Sequence, residues 1–165
     1  MFTLSPRAVQ DNGILAAKNA CSDKQTTPNC VGENVSPPLN WSNAPEGAKS
    51  FALLLLDPEG RPPAGVSHMV VYGIPAEVTG FAEGELSKPS DKVVGGKNLM
   101  GMATYFGPGP PPNVDWHHYT FTLIATTDLD PKVLQPGMTR EELAAAFQGH
   151  VEGAAGLVTR FRHPA

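Results

Sequence analysis

The chain has 165 residues and a formal net charge of −4, with a pI near 5.7. Its 17 glycines and 17 prolines argue against long helices, and a hydrophobic content of 41% argues against disorder. The length suits a single domain over residues 1–165 with one core, and the lack of a Lys/Arg cluster excludes nucleic acid or an anionic membrane surface as the expected partner.

Taken in chain order, residues 1–10 lack the charged-then-apolar pattern of a signal peptide. The cytoplasm is therefore the default, with the periplasm or exterior left open for a chain whose signal peptide has been removed. Cys21 and Cys30 close a loop short enough to bridge, but a disulfide needs Cα atoms about 5.5 Å apart, which spacing alone does not supply. In the cytoplasm the pair is expected as two reduced thiols. Ser36-Pro37-Pro38 reads as a rigid loop.

Phe51-Ala-Leu-Leu-Leu-Leu-Asp57 is apolar on both faces and stops at Asp57-Pro58, as a central strand does. Its Phe51–Leu56 run is far too short to span a bilayer. Ser67 to Ile74 forms a second strand, stopped by Pro75, with His68, Val70, Tyr72 and Ile74 assigned to one face. Tyr105-Phe106-Gly107-Pro108-Gly109-Pro110-Pro111-Pro112 must be a stiff loop, in which Gly107 and Gly109 leave their backbone N–H groups open to close approach.

His117 to Thr127 alternates between a largely apolar face (His117, Tyr119, Phe121, Leu123, Ala125) and a Thr-rich one carrying His118. Thr139 to Glu142 is a T-x-x-E capping box opening the one convincing helix, with Gly149 as its candidate end. Leu157 to Arg162 reads as a closing strand. The sum is mainly β with little helix, most simply a β-sandwich.

Asp57, His68, His117 and Tyr119 stand at strand mouths, where polar groups make natural pocket walls. Imidazoles, a phenol and loop amides supply donors suited to phosphate, sulfate or carboxylate. Asp57 fits as the carboxylate that orients a histidine. Two other chemistries use the same residues: an Asp–His general base in a hydrolase-like enzyme, and a metal site on Asp57, His68 and His117. The first lacks a G-x-S-x-G nucleophile elbow. The second suits a donor-rich site less well than an anion does, so neither metal nor cofactor is expected.

These motifs, with Cys30-Val-Gly-Glu-Asn-Val-Ser-Pro-Pro-Leu-Asn-Trp41, Ala44-Pro45-Glu46-Gly47, His68-Met-Val-Val-Tyr-Gly-Ile-Pro75 and His117-His-Tyr119-Thr-Phe-Thr-Leu123, resemble the phosphatidylethanolamine-binding protein family. The match is to its short bacterial and archaeal form, and members are also called Raf kinase inhibitor proteins. The resemblance implies a sandwich of antiparallel sheets with a few short helices, and a small cavity for phosphate, acetate or a phosphoethanolamine head group. Carried over motif by motif, the cavity falls on Asp57, His68, His117 and Tyr119, with a rim of Gly107, Pro108, Gly109, Pro110 and Pro111. It further implies a kinase or protease partner and a homodimer. The chain departs from the family pattern at Glu59, where the motif has Asp, and at Gly60-Arg61, which displace a proline. Val66-Ser67 replace an aromatic before the pocket histidine, and His118 stands where the motif has Arg. Loss of the aromatic should open or reshape one wall, and Arg61 could bring a cation to the rim.

Overall fold

The computed structural model of the protein describes residues 1–7, 9–25 and 27–164. In chain order the strands are β1 (Thr3–Pro6), β2 (Gly13–Ile14), β3 (Leu39–Ser42), β4 (Ser50–Asp57), β5 (Val66–Pro75), β6 (Gly80–Phe81), β7 (Val94–Gly95) and β8 (His117–Thr126). Helix α1 (Arg140–Phe147) and strand β9 (Val151–Phe161) follow, and Ala17–Asn19 and Glu85–Ser87 are single 3-10 turns. The large sheet runs β2-β9-β8-β4-β5-β7 and the small one β1-β3-β6. Pairing is antiparallel except at β2–β9, which is parallel, one exception to the all-antiparallel expectation.

The main core lies between the sheets. Leu4, Leu39, Trp41 and Phe81 of the small sheet meet Phe51, Leu53, Leu55, Phe121 and Leu123 of the large one. Trp41 packs edge-on against Phe51 with ring centres 5.6 Å apart. On the opposite face, Leu143 and Phe147 of α1 cover Ala52, Val70 and Tyr72. The helix begins as the capping motif requires, with the Thr139 hydroxyl accepting from the Glu142 N–H at 3.2 Å. Gly149, at φ 81°, turns the chain back into β9. Strand β9 starts earlier than the expected Leu157 because it pairs with β8 from Val151 to Phe161. Its first residues, Val151 to Ala154, are mostly exposed and carry no apolar alternation.

One face assignment is corrected. Val70 and Tyr72 do share a face, against α1, but Ile74 lies in the core between the sheets and His68 packs edge-on to Tyr119. Two β-bulges separate them. Leu55 stands opposite Met69 and Leu56 opposite Ser67, so His68 is an extra residue. Near the other end, Phe51 faces Ile74 and Leu53 faces Val71. The second bulge includes Gly73 at φ 61°, a conformation that glycine adopts without strain. Each bulge shifts the two-residue alternation by one, which turns every side chain beyond it to the other face.

Cys21 and Cys30 form a disulfide with Cα atoms 4.7 Å apart, and both are fully buried beside Phe106. The expectation of two reduced thiols is thereby corrected, since the fold brings the pair within bridging distance. Among the described residues no helix is long and apolar enough to cross a membrane.

Candidate functional site

The site is built at the end of β4. Asp57 closes the strand with its side chain folded over the turn, one oxygen accepting from the N–H groups of Glu59 (2.9 Å) and Gly60 (3.1 Å). Its other oxygen lies 2.7 Å from Nδ1 of His117, the first residue of β8. Nδ1 facing a carboxylate carries the proton, which leaves Nε2 as the free edge of the ring.

The bulge in β5 delivers His68 to the same place. Its Nδ1 lies 2.7 Å from the Phe106 carbonyl, while the Phe106 N–H returns a bond to the His68 carbonyl at 3.0 Å. The ring is clamped between Phe106, stacked at 6.1 Å, and the edge of Tyr119 at 5.2 Å. Burial pushes its pKa below the ordinary histidine value, against opposing pulls from the Phe106 carbonyl and the Asp57 charge. His68 is therefore neutral near pH 7, donating at Nδ1 and offering a lone pair at Nε2.

Tyr119 follows His117 by two residues and stacks on it at 6.4 Å. Burial foremost, and then the Asp57 charge, hold its phenol protonated well above the ordinary tyrosine range. The hydroxyl feels Asp57, yet it is buried with no partner in hydrogen-bond geometry among the described residues. An unpaired buried donor costs about 1–3 kcal/mol, so this one invites an acceptor from outside.

Asp57, His68, His117 and Tyr119 line one cavity of about 330 Å3 with Gly109, Pro110 and Pro111. Gly107 and Pro108, expected on the rim, are not among its lining residues. The Gly107 N–H is already given to the Asn34 side chain at 2.7 Å, and a Cβ on Gly107 would fall 2.1 Å from the Asn19 carbonyl oxygen. The Pro108 carbonyl accepts from the Cys21 N–H at 2.9 Å. A Cβ on Gly109 would lie 2.7 Å from the Cys21 sulfur. Both glycines thus let the loop pack on the 19–21 segment, and Gly107 offers no free amide to a ligand.

Sequence reasoning missed Thr27, Asn29, Leu99, Met100 and Phe106 on the cavity wall. Thr27 and Asn29 sit on the loop that the Cys21–Cys30 bridge closes, and pairing those cysteines was the one signal for them. Arg61 also lines the cavity and holds φ at 47°, a left-handed backbone costing a non-glycine residue about 1–2 kcal/mol. His118 turns away, as its strand parity requires, and its ring pairs with exposed Glu59 at 2.6 Å. For the metal alternative, ligand atoms of Asp57, Glu59 and His117 lie within 4.8 Å of one another, and His68 is not part of that group.

A larger concavity, about 600 Å3, opens beside β1 and is lined by Thr3 to Arg7 and Leu157 among others. It is more open, and none of its charged lining residues is buried. The smaller cavity, with its buried Asp57 and His68, is the candidate site.

The pocket at the strand mouths of this two-sheet sandwich is thus walled by an Asp–His pair, a second imidazole and a tyrosine. The family model for phosphatidylethanolamine-binding protein matches residues 5–162, and the chain belongs to that family, whose membership supports a ligand-binding protein. A UPF0098 protein of Methanothermobacter thermautotrophicus is 39% identical over 164 residues, covering 98% of this chain and 99% of the relative. Among solved structures, Escherichia coli YbcL, titled a member of the mammalian PEBP family, superposes with a TM-score of 0.84 at 26% identity over 98% of each chain. Chlamydia trachomatis CT736, titled a PEBP homologue, gives 0.80 at 28% identity over 99% of this chain and 98% of that one.

Proposed function

We propose that the cavity binds a small anionic group, either free phosphate or the phosphoryl group of a head group or phosphorylated partner, and that the protein acts as a binding and regulatory module. The observation that carries this reading is the buried Tyr119 hydroxyl, unpartnered among the described residues, on a ring that touches two imidazoles whose Nδ1 atoms are already engaged. A phosphoryl oxygen would accept from Tyr119. A protonated P–OH would donate to the lone pair on Nε2 of His68. His117, whose Nδ1 faces Asp57, would likewise turn its free Nε2 edge to the ligand. Asp57 touches no ligand in this scheme; it orients His117 and ties the turn.

A kinase or protease partner and a homodimer remain part of this reading, on the family resemblance. Of the compartments left open by the sequence, the disulfide favours an oxidising one over the cytoplasm. Phosphate titration followed by histidine NMR provides the test. Ring signals of His68 and His117 should move at millimolar phosphate, with His118 unmoved; fixed His68 and His117 signals would overturn the reading.

A second reading has one observation behind it. Asp57 and His117 meet at 2.7 Å, the arrangement of a carboxylate-oriented general base. Turnover of a simple ester or phosphoester, lost in His117→Ala, would favour an enzyme.

A further inference from the structure

The cavity shares Arg61, Val66 and Leu99 with a second hollow of about 390 Å3. The second hollow is also lined by Lys97 and Arg140, together with Glu141. Three cations and one carboxylate thus converge on a protein whose net charge is −4. The carboxylate is engaged, since Glu141 faces Arg140 at 3.1 Å. Arg140 also donates to the Ala64 carbonyl at 3.2 Å, which fixes it over the hollow. Neither Arg61 nor Lys97 has an acidic partner among the described residues. Two of the three shared residues are apolar: Val66, opposite Asp57 in the sheet, and Leu99.

We propose that the two hollows form one site for a small molecule carrying two anionic groups joined by a short apolar spacer. The first group sits with His68, His117 and Tyr119, the spacer crosses Val66 and Leu99, and the second group is held by Arg61, Lys97 and Arg140. This rests on the anion reading of the first cavity and adds the ligand class. Arg61 borders both hollows, so it can serve either charge, and its left-handed backbone fixes where its side chain departs.

Calorimetric titration with alkyl monophosphonates and α,ω-alkane bisphosphonates of increasing chain length tests the proposal. At one spacer length the bisphosphonate should bind about 100-fold tighter than the monophosphonate of equal length, as a second tethered contact allows. Lys97→Gln and Arg140→Gln should each remove about tenfold of that gain, leaving monophosphonate affinity unchanged, which also reports an intact fold. Bisphosphonates no tighter than monophosphonates at any length would overturn the inference and spare the anion site. A gain that persists in both variants, or variants that lose both ligands alike, would overturn it as well. If neither ligand class binds, the anion reading and this inference fall together.

Discussion

Two carboxylate–imidazole pairs stand side by side at one end of the large sheet. Asp57 meets His117 at 2.7 Å and Glu59 meets His118 at 2.6 Å. They come from the same turn and the same strand, and each carboxylate also accepts backbone N–H groups. Consecutive residues of a strand point to opposite faces, so His117 enters the cavity and His118 faces solvent. Side-chain exposure is 15% and 4% for His117 and Asp57, against 43% and 38% for His118 and Glu59. Contact distance does not rank the two pairs; solvent does. Water weakens the outer attraction and competes for its hydrogen bonds, whereas the inner pair has no substitute for a lost partner.

The largest expected effect separates them most sharply. Asp57→Asn keeps an oxygen for the Glu59 and Gly60 N–H groups but turns an NH2 toward His117. The imidazole must then present Nδ1 as an acceptor and carry its proton on Nε2. Thermal and denaturant melts should show a loss of about 1–3 kcal/mol, the cost of disturbing a buried hydrogen-bonded charge. Phosphate binding should weaken by tenfold or more on the same basis. A variant that melts and binds like the parent would erase the distinction between the pairs.

The inner site should also show itself through pH. Burial lowers the His68 pKa in the folded protein, while the unfolded chain binds that proton near the ordinary value of 6.5. Between those two values the unfolded state holds more protons, so stability rises with pH there. The contribution is fully present above 6.5 and is lost as pH falls through the folded-state value. Melting temperature should therefore drop from neutral to mildly acidic pH, and His68→Gln should flatten that part of the profile. Phosphate should restore part of the loss, because a ligand bound by the folded state alone stabilises it. A decline unchanged in His68→Gln would assign it to other groups.

How much of this was readable beforehand depends on where alternation survives. From His117 to Ala125 strand β8 runs without a break in register, so the sequence correctly set His117 and Tyr119 together and His118 apart. In β5 the two bulges break the alternation; Gly73 inside the run marks the second, and no residue pattern marks the one at His68. The strand-mouth pattern and the family resemblance both put His68 in the pocket, while strict alternation groups it with Val70 and Tyr72, which face α1. The Gly-Pro tract was legible as a stiff loop, but not the reason for its glycines. Gly107 and Gly109 answer to the 19–21 backbone and the Cys21 sulfur, contacts that exist only once the chain is folded. The disulfide depended on the same information. Strands of two residues, such as β2, β6 and β7, are too short to carry any period.

The smallest expected effect falls on the outer pair. Burial pulls the Glu59 carboxyl upward, but the side-chain and backbone hydrogen bonds from His118 outweigh it and hold the pKa below the ordinary value. That direction means the pair stabilises the fold above the ordinary carboxyl range and loses its contribution as pH falls through the lowered value. Because both partners are well exposed, the contribution should be under about 1 kcal/mol. Glu59→Gln should therefore melt within that margin of the parent at neutral pH, and salt should shrink the difference further. Phosphate affinity should stay unchanged, since the Glu59 carboxylate binds His118 on the outer face. If Glu59→Gln instead weakens binding as strongly as Asp57→Asn, the outer carboxylate acts in the site. The grouping of Asp57, Glu59 and His117 would then describe the binding centre better than two pairs divided by solvent.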